Sequence, residues 1–447
     1  MVWAALVSLG IALGYAIFHS GGVDPAHWNP TLAGVGSIGA LYFLRRCAER
    51  PGLDRLTIAT LVGLVVLSVL QLAPVPVAWM RWLSPLRYED LQAATLVHPL
   101  PAYAAVSSAP AETAQYLVTL GGCLVTLLLV RAITLDLRAH CWVVVWPLLL
   151  LGAAEAMLGF FQAYAPGGEG LARGTYASRD HYAALLEMIL PFAVLYPAAI
   201  LQRSRNRHES PALPAVIACL PLACGALLLT GIIHSLSRGG FLSTLGSLLV
   251  CGALAFALRP SRPGQRPVGS ALWRKGVPIG IVALTIALGF VYLPTDPLIA
   301  RFSDLAQTED ISADTRAQIW RDTAGMVPAY PFLGTGWGAY QYAFLRFKTV
   351  APMQTVDYAH NDYLQILVEA GPIIFVLGLW LLVRILLASL RAASSASPDH
   401  RYLAIACAGS FTAILLHSFV DFNLYVPANS LLFAWIAGIG SAHLRAR

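Results

Sequence analysis

Four short clusters in this 447-residue chain hold residue types able to act on an anion and a hydroxyl. The first is Tyr358-Ala-His360-Asn361-Asp362-Tyr363-Leu-Gln365. An imidazole titrates near neutral pH and suits proton removal from a hydroxyl, so His360 is the candidate general base. The alternative is a hydrogen-bonding residue at a membrane interface. Asn361, Gln365 and Glu369 fall on one helical face, a polar stripe that must meet a cavity or another helix rather than lipid.

The second cluster is Arg173-Gly-Thr-Tyr-Ala-Ser178-Arg179-Asp180-His181-Tyr182, just ahead of an apolar run. Free N–H groups and the helix dipole favour anions at such a start, so Arg179 and His181 could hold a phosphate. An interfacial anchor with Arg179 paired to Asp180 is the alternative. The third, Ser235-Leu-Ser237-Arg238-Gly239-Gly240, joins an arginine and hydroxyls to two glycines that expose backbone N–H groups. Those ingredients make an anion nest, or merely cap a tight hairpin. In the fourth, His417-Ser-Phe-Val-Asp421-Phe-Asn423, His417 and Asp421 are four apart, which on a helix allows pairing, as structural glue or as the far wall of a site. Glu155 and Glu187 are further acids in apolar runs, able to pair with these arginines.

The elements that must carry these clusters are membrane helices. The chain is 57% hydrophobic and only 12% charged, with a mean hydropathy of +0.67. Soluble domains carry about 25% charged residues. The apolar runs also exceed the roughly 9–11 residues a barrel strand needs. The pattern therefore predicts an all-α, polytopic transmembrane bundle and excludes a cytosolic enzyme, a secreted disulfide scaffold and a nucleic-acid-binding domain.

Twelve spans are predicted, near Val2–Phe18, Thr31–Leu44, Leu56–Leu72, Ala114–Val130, Trp142–Tyr164, Tyr182–Leu201, Ala215–His234, Phe241–Leu258, Val277–Tyr292, Tyr363–Leu387, Tyr402–Val420 and Val426–Ala442. The division follows: residues 1–292 hold nine spans and a loop near 73–113, residues 293–362 form a large loop, and residues 363–447 hold three spans. Most of the 29 Lys and Arg residues fall on one side of this scheme, including Arg45, Arg131, Arg203, Arg384 and Arg401. By the positive-inside rule that side, with both termini, is cytoplasmic, and the four clusters lie opposite. The start lacks a basic region and a clear cleavage site, so the first span reads as retained.

Within the large loop, Ser312 to Val327 reads as an amphipathic helix capped by Ser312, with Ile319, Trp320, Met326 and Val327 on one face and Pro328 at its end. Gly10 and Gly14 fit a small-residue helix contact. All seven cysteines read as small packing residues rather than disulfides or metal ligands. The chain has no phosphate-binding Walker loop, dinucleotide fingerprint, zinc spacing or serine elbow, and no cofactor or metal is expected. Arginines, a histidine and a polar helix face at one membrane boundary suit an anionic headgroup carrying a lipid tail.

Gly174-Thr-Tyr-Ala-Ser-Arg179-Asp-His-Tyr-Ala183, Ser237-Arg238-Gly-Gly, Arg316-Ala-Gln-Ile-Trp320, Gly334-Thr-Gly-Trp-Gly338, Ala359-His360-Asn-Asp-Tyr-Leu-Gln365 and His417-Ser-Phe-Val-Asp-Phe-Asn-Leu-Tyr425 occur in that order. Together they resemble the bacterial O-antigen ligase and O-antigen polymerase superfamily. The resemblance implies a multi-pass inner-membrane glycosyltransferase of the GT-C type, metal-independent and inverting. It would use an undecaprenyl-pyrophosphate-linked oligosaccharide as donor at the periplasmic face. The acceptor would be lipid A core for a ligase, or a second lipid-linked glycan for a polymerase. Carried onto this chain, His360 would activate the acceptor hydroxyl and Arg179 and Arg238 would clamp the pyrophosphate. Arg316, Asn361, His181, Ser237 and Tyr363 would complete the substrate site. The alternative is a transporter of a lipid-linked glycan or another anionic solute, which predicts internal repeats and broken helices; neither is visible in the sequence.

Overall fold

A computed structural model describes residues 1–45, 52–165, 170–208, 210–258, 313–349 and 355–444. The predicted span Val277–Tyr292, the basic stretch Arg259 to Lys275, Cys47, Ser312, residues 293–312 and residues 350–354 lie outside them.

The described residues are predominantly α-helical. The helices of the first half are α1 (Val2–Phe18), α2 (Pro25–Leu44), α3 (Arg55–Leu70), the short α4 (Val77–Leu83) and α5 (Pro85–Ala93), α6 (Pro110–Asp136), α7 (Trp146–Tyr164), α8 (Arg179–Arg207), α9 (Ala212–His234) and α10 (Arg238–Ala257). There follow α11 (Ala313–Met326), the short α12 (Tyr340–Phe344), α13 (Asp362–Ala392), α14 (Pro398–His417) and α15 (Pro427–Ser441). Eleven of the predicted spans thus fall on observed helices. Among the described residues, six helical stretches are long and apolar enough to cross a membrane by length and composition: Pro110–Asp136, Arg138–Tyr164, Arg179–Arg207, Ala212–His234, Arg238–Ala257 and Asp362–Ala392.

The bundle is built around α8, which is buried along most of its length and packs against α9, α10 and α14. Small residues allow the close approaches. A Cβ on Gly409 of α14 would strike Cys251 and one on Gly438 of α15 would strike Val130, while Gly10 and Gly14 of α1 seat against Pro147 and Leu151 of α7. Four described cysteines are buried, but Cys219 is exposed beside Val216, Ile217 and Leu220 on the outer face of α9, so it is not a packing residue. A helix in lipid can leave such a thiol on its apolar outer surface.

One end of the bundle is pinned by basic residues. There the guanidinium of Arg131 donates to the Ser441 carbonyl, Arg203 pairs with Asp399 at 3.1 Å, Arg384 with Asp54 at 2.9 Å, and Arg401 donates to the Ala255 carbonyl at 2.7 Å. The opposite end carries both long connections, and they are ordered against each other. In the first, strands β1 (Pro74–Pro76) and β2 (Tyr103–Ala105) pair antiparallel, with Val75 opposite Ala104. Ser108 N–H donates to the Thr335 carbonyl at 2.7 Å, and the Thr113 hydroxyl to that of Trp337 at 2.8 Å. The amphipathic helix is α11, with Ile319 and Met326 fully buried. It continues past Met326 as a single 3₁₀ turn, Val327–Ala329, so Pro328 tightens the helix end rather than following it.

A break in α13 holds the large connection in place. At Gly371 the backbone turns to φ 79°, ψ 163°, and Pro372 lacks an N–H, so carbonyls of the preceding turn lose their helical donors. Thr335 N–H donates to the Val368 carbonyl at 2.9 Å and Gly336 N–H to that of Glu369 at 3.1 Å, while the Gln71 amide bonds the Leu333 and Glu369 carbonyls. A broken helix, absent from the sequence reading, therefore exists, and its freed carbonyls seat the Gly334–Gly338 loop.

Candidate active site

The N-terminus of α8 is set by the loop before it. Glu155 of α7, fully buried, accepts the Thr175 N–H at 2.5 Å, and the Thr175 hydroxyl donates to the Ile17 carbonyl at 2.7 Å. Gly174 has φ +57°, and a Cβ there would collide with the Glu155 carboxylate. Ser178 caps α8 by accepting the Asp180 N–H at 3.2 Å, which places Arg179 and His181 in the first turn. The Asn429 amide donates to the His181 carbonyl at 3.0 Å and itself accepts from the Tyr176 hydroxyl at 3.1 Å.

α10 begins alongside. Ser237 accepts the Gly240 N–H at 3.0 Å, leaving Arg238 exposed at the first helical position. The two glycines are close-approach residues: a Cβ on Gly239 would lie 2.8 Å from His417 Nε2, and one on Gly240 would lie 2.6 Å from the Ala183 Cβ. Behind them Glu187 accepts from the Ser243 hydroxyl at 2.5 Å and pairs with His417 Nδ1 at 3.1 Å. Neither Glu155 nor Glu187 therefore serves the arginines; each carboxylate holds its own helix junction.

His360 precedes α13 with φ +49°, a left-handed backbone that only surrounding contacts sustain. Those contacts are visible. The Trp320 indole N–H of α11 lies 3.0 Å from the Ala359 carbonyl and 3.3 Å from that of His360, and the Ala359 N–H donates to Gln365 at 2.8 Å. Asn361 caps α13 by accepting the N–H groups of Tyr363 and Leu364 at 3.0 and 3.1 Å. Asp362 accepts from the Ser418 hydroxyl at 2.7 Å and from Leu424 N–H, tying the start of α13 to the turn after α14. The Tyr363 hydroxyl donates to the Leu415 carbonyl at 2.6 Å. Asn361 and Tyr363 thus shape the backbone of this site.

Asp421 joins the clusters. Its Oδ2 lies 3.5 Å from His181 Nε2 and its Oδ1 3.5 Å from His360 Nδ1. The next residue, Phe422, meets both imidazoles edge to face, at 4.6 Å and 5.0 Å between ring centroids, and stacks on Tyr358 at 4.0 Å. Burial works to raise the Asp421 carboxyl, but the neighbouring imidazoles, first His181 and then His360 and His417, outweigh it and hold it well below the usual carboxylate range. The expected helical pair of His417 with Asp421 does not form as a contact, because α14 ends at His417 and the chain turns before Asp421. His417 pairs with Glu187 instead.

Of the sequence-selected residues, His181 and His360 meet directly through Asp421. Arg179 is two residues from His181, Ser237 and Arg238 open the helix that touches His417, and Arg316 stands one turn before Trp320 on α11. The starts of α8 and α13 thus meet at one carboxylate-bridged histidine pair, and the start of α10 packs on His417, four residues before the bridging Asp421. Such an arrangement can bind a diphosphate at the guanidinium groups and N-termini and remove a proton at an imidazole.

Residues 223–381 match the family model described as O-antigen ligase. The match supports the O-antigen ligase and polymerase superfamily and indicates a multi-pass membrane glycosyltransferase of that type, with lipid-linked glycan substrates in general. No curated protein matches the chain. The matched stretch takes in Arg238, Arg316, the Gly334–Gly338 loop and His360, whereas Arg179, His181, His417 and Asp421 lie outside it. The candidate site therefore draws residues from inside and outside the matched stretch. Sequence reasoning missed Asp421 as the link between two histidines, and Trp320 as the clamp on the His360 backbone. The only signal for either was an unusual polar or aromatic residue in a motif already singled out.

Proposed function

We propose that this protein transfers a glycan from an undecaprenyl-pyrophosphate donor to an acceptor hydroxyl at the periplasmic face of the bacterial inner membrane. The observation that carries the reading is the Asp421 bridge, which brings the base candidate His360 to the arginine-bearing start of α8. With Asp421 facing Nδ1, Nε2 of His360 is left as the basic nitrogen. The acceptor oxygen attacks the anomeric carbon, its proton passes to Nε2, and the bond from carbon to pyrophosphate oxygen breaks. Negative charge grows on the leaving group, where Arg179, Arg238 and Arg316 stabilise it without a metal. Attack opposite the leaving group inverts the anomeric centre. The basic residues at the other end of the bundle support this sidedness, with both termini read as cytoplasmic by the positive-inside rule.

The deciding experiment reconstitutes the purified chain with undecaprenyl-pyrophosphate-linked oligosaccharide, alone or with lipid A core, and resolves products by mass. Longer lipid-linked chains from donor alone mean a polymerase, and glycan on lipid A core alone means a ligase. No new glycosidic bond with a competent donor would overturn the proposal in favour of transport.

A further inference from the structure

A cavity of about 160 Å³ opens beside the His360 loop, between the start of α6, the large connection and the first turns of α13. Its composition differs from that of the arginine-bearing clusters. The rings of Tyr116 and Tyr358 line it, together with Gln365 and three carboxyl side chains, Glu112, Asp357 and Glu369; no Lys, Arg or His is among its lining residues. Glu369 is fully buried and immobilised, accepting from Gly338 N–H at 3.0 Å, Tyr340 N–H at 3.0 Å and the Tyr425 hydroxyl at 2.7 Å. Asp357 is exposed at the rim, and Glu112 accepts from the Tyr342 hydroxyl at 3.3 Å.

Two connections bind this cavity to the base. Tyr358 is two residues from His360 and stacks on Phe422, whose edge meets the His360 ring. Gln365 lines the cavity and accepts the N–H of Ala359. Aromatic rings take the C–H face of a sugar, while carboxylate and amide oxygens accept from its hydroxyls. The two carboxylates nearest solvent, Glu112 and Asp357, without a counter-charge repel phosphate or carboxylate. The candidate anion-binding groups, at the starts of α8 and α10, are not among the lining residues.

We infer that this cavity seats the acceptor's reacting sugar ring and selects a ring that carries no phosphate or carboxylate. The inference rests on the glycan-transfer reading above and adds the acceptor's chemical class.

The test uses the detergent-purified full chain and saturation-transfer NMR with methyl glucoside, methyl galactoside, methyl mannoside and glucose 6-phosphate as probes, alongside the transfer assay. At least one methyl hexoside is expected to bind, with glucose 6-phosphate about tenfold weaker or more. Gln341→Trp fills the cavity from the loop wall and is expected to abolish that signal and raise the acceptor KM by about tenfold or more, with little change in kcat. Glu112→Gln combined with Asp357→Asn, two rim changes that leave packing intact, is expected to narrow the discrimination against the 6-phosphate. Absence of binding by every methyl hexoside, equal binding of glucose 6-phosphate, or discrimination unchanged in the double variant would overturn the inference. Sugar discrimination without any glycan transfer would sink the transfer reading alone. Transfer with an unaltered acceptor KM in Gln341→Trp would sink the cavity alone.

Discussion

Replacing His360 and Asp421 singly and together asks whether the carboxylate acts through the imidazole. Because His360 sits at φ +49°, His360→Ala would mix lost chemistry with backbone strain; Asn tolerates the left-handed region better and makes His360→Asn the cleaner variant. Removing a general base costs about 10²–10⁴-fold in rate. Asp421 faces His360 Nδ1 at 3.5 Å without hydrogen-bond geometry, so it acts on the imidazolium by charge, worth between about 1 kcal/mol in water and about 4 kcal/mol at an effective dielectric of about 20. Asp421→Asn should therefore lower kcat by about 10–100-fold. Since that contribution passes through the His360 ring, the double variant should lose little more than His360→Asn alone, and any remainder reports the His181 arm of the bridge. Single-turnover glycan transfer with preloaded lipid-linked donor is the assay, with thermal melting to confirm folding. Activity above about a tenth of the parent in His360→Asn, or two losses that simply multiply, would refute the argument.

Arg179→Lys and Arg238→Lys should each cut donor turnover by about tenfold or more, because a point charge does not reproduce the guanidinium fork; normal turnover in both would move the diphosphate site elsewhere. Gly371→Ala should destabilise the seat of the Gly334–Gly338 loop by about 1–3 kcal/mol, since a Cβ would lie 2.3 Å from the Phe332 carbonyl oxygen at a positive φ; an unchanged melting temperature in detergent would contradict this. Burial opposes the charge on Asp54, but hydrogen bonds from Thr57 and the Arg384 guanidinium bring its carboxyl down to about 2. A depressed carboxyl stabilises the fold above its unfolded pKa of about 3.9 and loses that contribution as pH falls towards 2, so melting temperature should drop over that window and drop less in Asp54→Asn.

Apolar content and run length were enough to read the helical membrane class from the sequence, because a lipid environment leaves helices as the means of satisfying the backbone in runs of that length. The same logic located eleven of the observed helices, whereas Asn361, read as part of a helical stripe, and Ser237, read as part of a hairpin, cap helix starts by accepting the first N–H groups. His360, Arg179, Arg238 and the polar face of Gln365 and Glu369 were legible because charge in an apolar chain is costly enough to need a purpose.

Partner choice was not legible. His417 and Asp421 look like a helical pair at four-residue spacing, yet a turn after α14 sends one to Glu187 and the other to His181 and His360, each far away in sequence. Glu155 and Glu187 looked like partners for arginines, but a short path to Thr175 or His417 exists only once α7, α8 and α14 are packed. The Gly371 break and the loop that fills it illustrate the same division. A glycine-proline pair permits a break anywhere, whereas the carbonyls of Val368 and Glu369 find donors only where tertiary packing brings residues 334–338 beside them. Covalent composition and local periodicity set which segments become helices, and long-range hydrogen bonds and close approaches at glycine decide which buried charges meet.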